Sequence, residues 1–179
     1  MAPDEVLGLV FDLPEEPWAT EIRRLRAAHD QARSSFPVEI TVAGSSGLGW
    51  FSPGQPHDLI AERVRSIARD VAPFTSFFSG VETFPDSDVY YLAVKDETPF
   101  HAFQRALAAS PLRFEPTQFR YKPHCTIAAL SNGAPALARA ELAAFRAPFH
   151  GVTIRSLSLY AVAPSRNECR FVWRLPLDA

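Results

Sequence analysis

Apolar and polar positions alternate along the chain in two periods, and the switches between them predict its elements. Val6–Phe11 is apolar on both faces and reads as a buried strand. After Pro14 and Pro17, residues Trp18, Ile22, Leu25, Ala28 and Ala32 recur at helical spacing. They predict an amphipathic helix of about 16 residues whose Arg23, Arg24 and Arg26 face solvent. Pro37 ends it, and Val38–Ala43 reads as a strand. The Gly-, Ser- and Pro-rich stretch 44–56 reads as a loop, followed by a helix carrying Ile60, Val64, Ile67, Ala68 and Val71 inward. Phe74–Phe84 and Val89–Val94 predict two strands joined by the turn residues 85–88. Thr98-Pro99 starts a helix to about Ala109, with Thr98 as its N-cap. Residues 110–123 form an extended linker, His124–Leu130 a strand, and Ala136–Arg146 a helix. Two strands close the chain, Gly151–Val162 and Cys169–Leu175. The last is expected to put Cys169, Phe171, Trp173 and Leu175 on one face. Mixed helices and hairpin-like strand pairs imply an α+β fold with much antiparallel sheet.

Two of these strands resemble each other. Phe36-Pro37-Val38-Glu39-Ile40-Thr41-Val42-Ala43 is echoed by Tyr121-Lys122-Pro123-His124-Cys125-Thr126-Ile127-Ala128. Each has an aromatic, a proline, an ionisable residue, an apolar residue, Thr, a β-branched residue and Ala. Residues i and i+2 of a strand share a face, so Glu39 pairs with Thr41 and His124 with Thr126, while Ile40 and Cys125 point the other way. The echo predicts two similar lobes, each contributing one strand to a shared site. Two hydroxyls and two ionisable groups then line one pocket suited to a phosphate oxygen and to proton transfer.

The echoed motif resembles the 2H phosphoesterase superfamily, which includes the bacterial RNA 2′,3′-cyclic phosphodiesterases, also called 2′-5′ RNA ligases. That family carries a His-x-Thr/Ser motif in each lobe. His124-Cys125-Thr126 matches the second motif, and the order of elements fits from about Val6 to Leu175. The first motif departs from the family pattern, because Glu39 stands in place of His while Thr41 is retained. The resemblance implies one two-lobed, pseudo-symmetric domain over residues 1–179, with antiparallel sheets flanking a central cleft and helices outside, His124 as general acid or base, and Thr41 and Thr126 as phosphate ligands. It does not transfer the missing histidine's role to Glu39. A carboxylate repels a phosphodiester by roughly 4 kcal/mol at 4 Å and an effective dielectric near 20, unless it holds a proton. Burial raises a carboxyl's pKa, so Glu39 can serve as the altered second proton-transfer group. The implied substrate is a 2′,3′-cyclic phosphate or a 2′-5′ linked nucleotide. The alternative is a noncatalytic protein that binds an RNA end or a nucleotide.

Arg120, Tyr121 and Lys122 precede the second motif, and can attract phosphate or stack a base, or can be ordinary edge residues. His29, His57, His101 and His150 stand in no echoing motif. Stretch 44–49 lacks the spacing of a phosphate-cradling loop and is expected to rim the cleft. No His, Cys, Asp or Glu cluster has metal-ligand spacing, so no metal or other cofactor is expected. A net charge of −2 argues against a long-duplex binder and suits a small nucleotide or an RNA terminus. Two cysteines make no disulfide framework, and neither a signal peptide nor a membrane segment is read, which gives a cytoplasmic expectation. Oligomeric state is not legible.

Overall fold

The computed structural model describes residues 5–178. The elements run β1 (Val6–Asp12), α1 (Pro17–His29), β2 (Glu39–Ala43), α2 (His57–Ala68), β3 (Phe74–Ser76), β4 (Phe78–Thr83), β5 (Val89–Val94), α3 (Thr98–Ala108), β6 (His124–Ala129), α4 (Ala136–Ala143), β7 (Val152–Ile154), β8 (Ser156–Ala163) and β9 (Glu168–Pro176). All pairings are antiparallel. They build a four-stranded sheet in the order β2-β1-β8-β9, a three-stranded sheet β4-β5-β6, and the small pair β3-β7. The α+β expectation holds. No helix is long and apolar enough to cross a membrane among the described residues.

The two motif strands are edge strands of different sheets, and they approach each other where the sheets meet. Their local structure is the same. Leu9 pairs with Ala43 and Val10 with Thr41, which leaves Val42 as an extra residue. Tyr90 pairs with Ala128 and Tyr91 with Thr126, which leaves Ile127 as the counterpart. Each bulge follows the motif threonine and turns two successive apolar residues into the core. Val42, Ala43, Ile127 and Ala128 are all fully buried, while the ionisable residue and the threonine of each strand stay partly open. One core joins the lobes. At its centre Phe11 meets Phe100 and Phe103 edge-on at 5.3 and 5.2 Å.

Several expected elements change under tertiary pressure. The first helix stops at His29, because Asp30 leaves the helical conformation and its buried carboxylate accepts the Ala129 N–H at 2.7 Å. Residues Gln31–Arg33 continue as a short 3₁₀ turn. The expected strand Phe74–Phe84 divides at Phe77, and Gly151–Val162 divides at Arg155. The severed ends pair with each other as β3 and β7. Glu97, not Thr98, occupies the N-cap position of α3, and Thr98 donates its N–H to Asp96. The single apolar face expected on the last strand is broken at Val172, which has no partner in the register. Phe171 therefore lies with Tyr160, and Trp173 with Leu159. Arg174 shares the Phe171 side, 5.9 Å from its ring.

Candidate active site between the two motif strands

β2 turns Glu39 and Thr41 to the sheet junction and buries Ile40; β6 turns His124 and Thr126 there and buries Cys125 completely. The four outward groups line one cleft of about 220 Å³, together with Arg26 and Trp50. Arg33 and Asn167 complete its rim, the latter at the left-handed turn leading into β9.

The His124 ring is held in one orientation. Its Nδ1 donates to the Lys122 carbonyl at 2.6 Å, and Phe84 and Tyr91 pack against the ring, each with centroids 5.0 Å away. A proton fixed on Nδ1 leaves Nε2 of the neutral ring as the acceptor. Burial holds the imidazole below its ordinary pKa of 6.5, and the neighbouring Lys122 charge adds to that, against the Lys122 carbonyl bond. His124 is therefore a neutral base at neutral pH.

Glu39 is displaced the other way. Burial pushes its carboxyl up to about 7, and Asp12 adds to the shift, while the Arg26 charge and the Thr41 hydroxyl oppose it. Asp12 is the direct cross-strand neighbour of Glu39 and is itself bonded by Ser156, Ser158 and Arg174. The Thr41 hydroxyl donates to Glu39, 3.1 Å from both carboxyl oxygens. The pair of ionisable groups thus combines a base with a lowered pKa and an acid with a raised one, an arrangement suited to moving two protons at once.

The raised Glu39 pKa has a consequence for stability. The folded protein holds this proton more tightly than the unfolded chain, whose carboxyl titrates near 4.5. The resulting stabilisation is complete below pH 4.5 and is lost as pH rises through about 7. Glu39→Gln, a permanently neutral replacement, gains on the wild type over that interval. At pH 8 it is expected to be more stable by roughly 1–3 kcal/mol, from 1.36 kcal/mol per pKa unit. At pH 4.5 the difference closes, as thermal melts at the two pH values would register; an equal difference at both would contradict a half-buried, proton-retaining Glu39.

Arg26 is not the solvent-facing residue expected. It is 2% exposed, and its guanidinium joins the two motifs. Nε donates to the Ile127 carbonyl at 3.0 Å, one terminal nitrogen to Phe36 and Pro37 at 3.0 and 2.8 Å, and the other to Thr126 at 2.5 Å. These carbonyls belong to the edge strand β6 and to the lead-in of β2, so the ladders leave them needing donors. The same contacts fix a cation against the cleft wall. Arg23 and Arg24 do face outward, paired with Glu15 and with Glu21 and Glu141.

The residues before the second motif are placed differently from expectation. Tyr121 is 7% exposed and has no face for a base; its hydroxyl donates to the Thr41 carbonyl at 3.0 Å, tying the linker to β2. Lys122 reaches toward Glu82 and Glu97 at 3.5 and 4.0 Å, and it serves the cleft through its carbonyl on His124. Arg120 is exposed and lies outside the cleft lining. His29, His101 and His150 pair with Glu141, Glu97 and Glu16, and none of the four other histidines lines the cleft. Ser45 and Ser46 do bring the loop after β2 to its rim. Among the described residues no group of three His, Cys, Asp or Glu side chains is arranged to hold a metal ion.

A family model described as the 2′-5′ RNA ligase superfamily matches residues 13–163. Among solved structures, Escherichia coli LigT complexed with 3′-AMP is 20% identical, with a TM-score of 0.56 over 98% of this chain and 99% of that one. A protein of Thermus thermophilus is 18% identical, with a TM-score of 0.58 over 96% and 97%. A protein described as a phosphoesterase is 20% identical, with a TM-score of 0.54 over 98% and 99%. LigT has also been crystallised with ATP, with NADP+ and with phosphate. At these identities the likeness is one of fold. No curated protein matches the sequence.

Proposed function

Because the chain belongs to the 2′-5′ RNA ligase superfamily, we propose that its cleft hydrolyses a 2′,3′-cyclic phosphate or a 2′-5′ linked RNA end or nucleotide, with His124 as base and Glu39 as acid. The observation that carries this reading is the opposed tuning of those two groups inside one cleft with both motif threonines.

The phosphate enters beside Arg26, whose fixed charge offsets the anion. Thr126 and Thr41 donate their hydroxyls to its non-bridging oxygens, Thr41 turning away from Glu39 as it does so. Nε2 of His124 takes a proton from water as the water oxygen bonds to phosphorus. The P–O bond to the leaving ribose oxygen breaks, and that oxygen receives the Glu39 proton. A protonated Glu39 also removes the carboxylate–phosphate repulsion that an ionised one would impose. The two groups end as imidazolium and carboxylate and exchange protons with solvent to reset.

The pH dependence tests this assignment. The competent form needs His124 neutral and Glu39 protonated. Thus kcat/KM for a nucleoside 2′,3′-cyclic phosphate rises through the His124 pKa, which lies below 6.5, and falls through about 7. The expected profile is a bell centred on the acid side of neutrality. Glu39→Gln lowers the rate and removes the alkaline limb. Loss of the reading would follow from turnover no higher than that of His124→Ala on cyclic and 2′-5′ linked substrates alike, or from an alkaline limb that Glu39→Gln leaves in place. Nucleotide-induced thermal stabilisation without product would instead support the noncatalytic binder.

A further inference from the structure

The apolar run of β1 ends on a carboxylate, Asp12, which stands directly opposite Glu39 of β2. Opposed side chains on neighbouring antiparallel strands lie about 4.5–5.5 Å apart at Cβ, so the two carboxyls share a face, and two charges there would repel. Their partners differ. Three donors converge on one oxygen of Asp12: the Ser156 and Ser158 hydroxyls at 2.6 and 2.9 Å, and Arg174 Nε at 3.0 Å. Ser158 is fully buried in β8, and Arg174 lies opposite it on β9 with Nε 3.2 Å from its hydroxyl. A chain of contacts therefore crosses the four-stranded sheet from Glu39 to Arg174.

The partners decide which carboxyl carries the charge. An ionised carboxylate is an acceptor, and all three of these partners donate to Asp12, whereas Glu39 receives the one hydroxyl of Thr41. Among the groups that face Glu39, Arg26 from α1 is the buried cation that favours its ionised form. Arg33 at the cleft rim is paired with Asp30 at 3.1 Å. His124, across the cleft on β6, is held neutral by burial. Burial also holds the Cys125 and Cys169 thiols up at about 12, and the Tyr121 and Tyr160 hydroxyls above their ordinary range, so these four are uncharged near neutrality. Burial is the largest influence on Glu39 itself, and Asp12 is the anion that works with it against Arg26.

We propose that Asp12 is a positioning residue of the first lobe: its charge, fixed on β1 by Ser156, Ser158 and Arg174, keeps the proton on Glu39 against the pull of Arg26, and Arg174 tempers that hold. Neither Asp12 nor Arg174 lines the cleft, so both act through Glu39. The use of the proton in turnover rests on the phosphoesterase reading above; its place on Glu39 does not.

Carbon-13 NMR titration of the full chain follows the Glu39 carboxyl, its resonance identified by its loss in Glu39→Gln, beside kcat/KM for a nucleoside 2′,3′-cyclic phosphate. A charge within about 4–6 Å moves a pKa by about 1–3, and Arg174 offsets part of the Asp12 charge, so Asp12→Asn is expected to lower the Glu39 midpoint from about 7 by about 0.5–1 pH unit. Asparagine keeps the shape and an acceptor oxygen for the two serines. Arg174→Gln removes the tempering cation and is expected to raise the midpoint by about 0.2–0.5 pH unit, a smaller step because an exposed charge is screened. Arg174 is more than half exposed, so this variant leaves the core intact, and its sign alone decides if Asp12→Asn does not fold. The alkaline limb of the rate follows the carboxyl: at pH 8 Asp12→Asn loses roughly 3- to 10-fold in kcat/KM, while the acid limb set by His124 stays. Shifts of opposite sign are what a merely structural role would not produce. The inference is overturned if Asp12→Asn leaves the Glu39 midpoint where it is in wild type, or if Arg174→Gln fails to raise it. Opposite shifts of the carboxyl without turnover, or with an alkaline limb that stays put, would sustain the hold of Asp12 on the proton and defeat only the assignment of Glu39 as the acid of a phosphoesterase.

Discussion

Replacing His124 by alanine is expected to lower kcat by about two to four orders of magnitude on whichever cyclic or 2′-5′ linked substrate the wild type turns over, the usual range for removing a positioned general base. The size of the effect comes from preorganisation. The Lys122 carbonyl fixes the tautomer, and Phe84 and Tyr91 fix the ring, so Nε2 presents its lone pair to the cleft without further ordering. Alanine leaves attack to unassisted water. In the proposed mechanism Arg26 and the threonine hydroxyls hold the phosphate, and the substitution does not touch them, so KM is expected to change far less than kcat. Steady-state kinetics on the two proteins reads the split. A kcat loss under about tenfold, or a loss confined to KM, would remove His124 from the proton transfer.

The parts of this arrangement that are legible in the sequence are those set by strand alternation. The i, i+2 spacing of Glu39 and Thr41, and of His124 and Thr126, is enough to put each pair on one face, and Cys125 on the other. The matching bulges are not legible, because Val42 and Ile127 look like ordinary strand residues until their partners are known. The breaks at Phe77 and Arg155 are hidden for the same reason: only the pairing of the severed ends reveals them. The neighbours of Tyr121 give it the look of a ligand-facing aromatic, yet the cross-lobe bond to Thr41 draws it inward. Arg26 carries a usable signal. At 100° per residue it lies about 40° from Ile22, on the buried side of α1, whereas Arg24 lies about 160° away. A cation on the apolar side of a helix needs acceptors, and treating the three arginines as one charged face conceals that demand.

The demand makes Arg26 the residue whose loss should cost the fold most. Arg26→Met keeps a long apolar side chain and removes every donor. The carbonyls of Phe36, Pro37, Thr126 and Ile127 then lose their guanidinium partners within the lobe junction. An unmet buried acceptor costs about 1–3 kcal/mol, and four carbonyls lose this partner together. Local relaxation and water entering from the cleft offset part of the sum, so the lower end of the range for each carbonyl sets the expectation. A loss of about 3–5 kcal/mol in urea unfolding corresponds to a Tm lowered by about 10 °C for a chain of this size. Arg26→Lys recovers only a fraction, since an ammonium has three donors at one point and cannot span carbonyls on β6 and on the lead-in of β2. Were Arg26→Met to unfold within about 1 kcal/mol of wild type, less than a single unmet acceptor costs, the guanidinium would not be what holds β2 against β6. The cleft would then owe its shape to the shared apolar core, in which Ile40 and Ile127 are completely enclosed, and the positive charge beside the phosphate would be the arginine's remaining contribution.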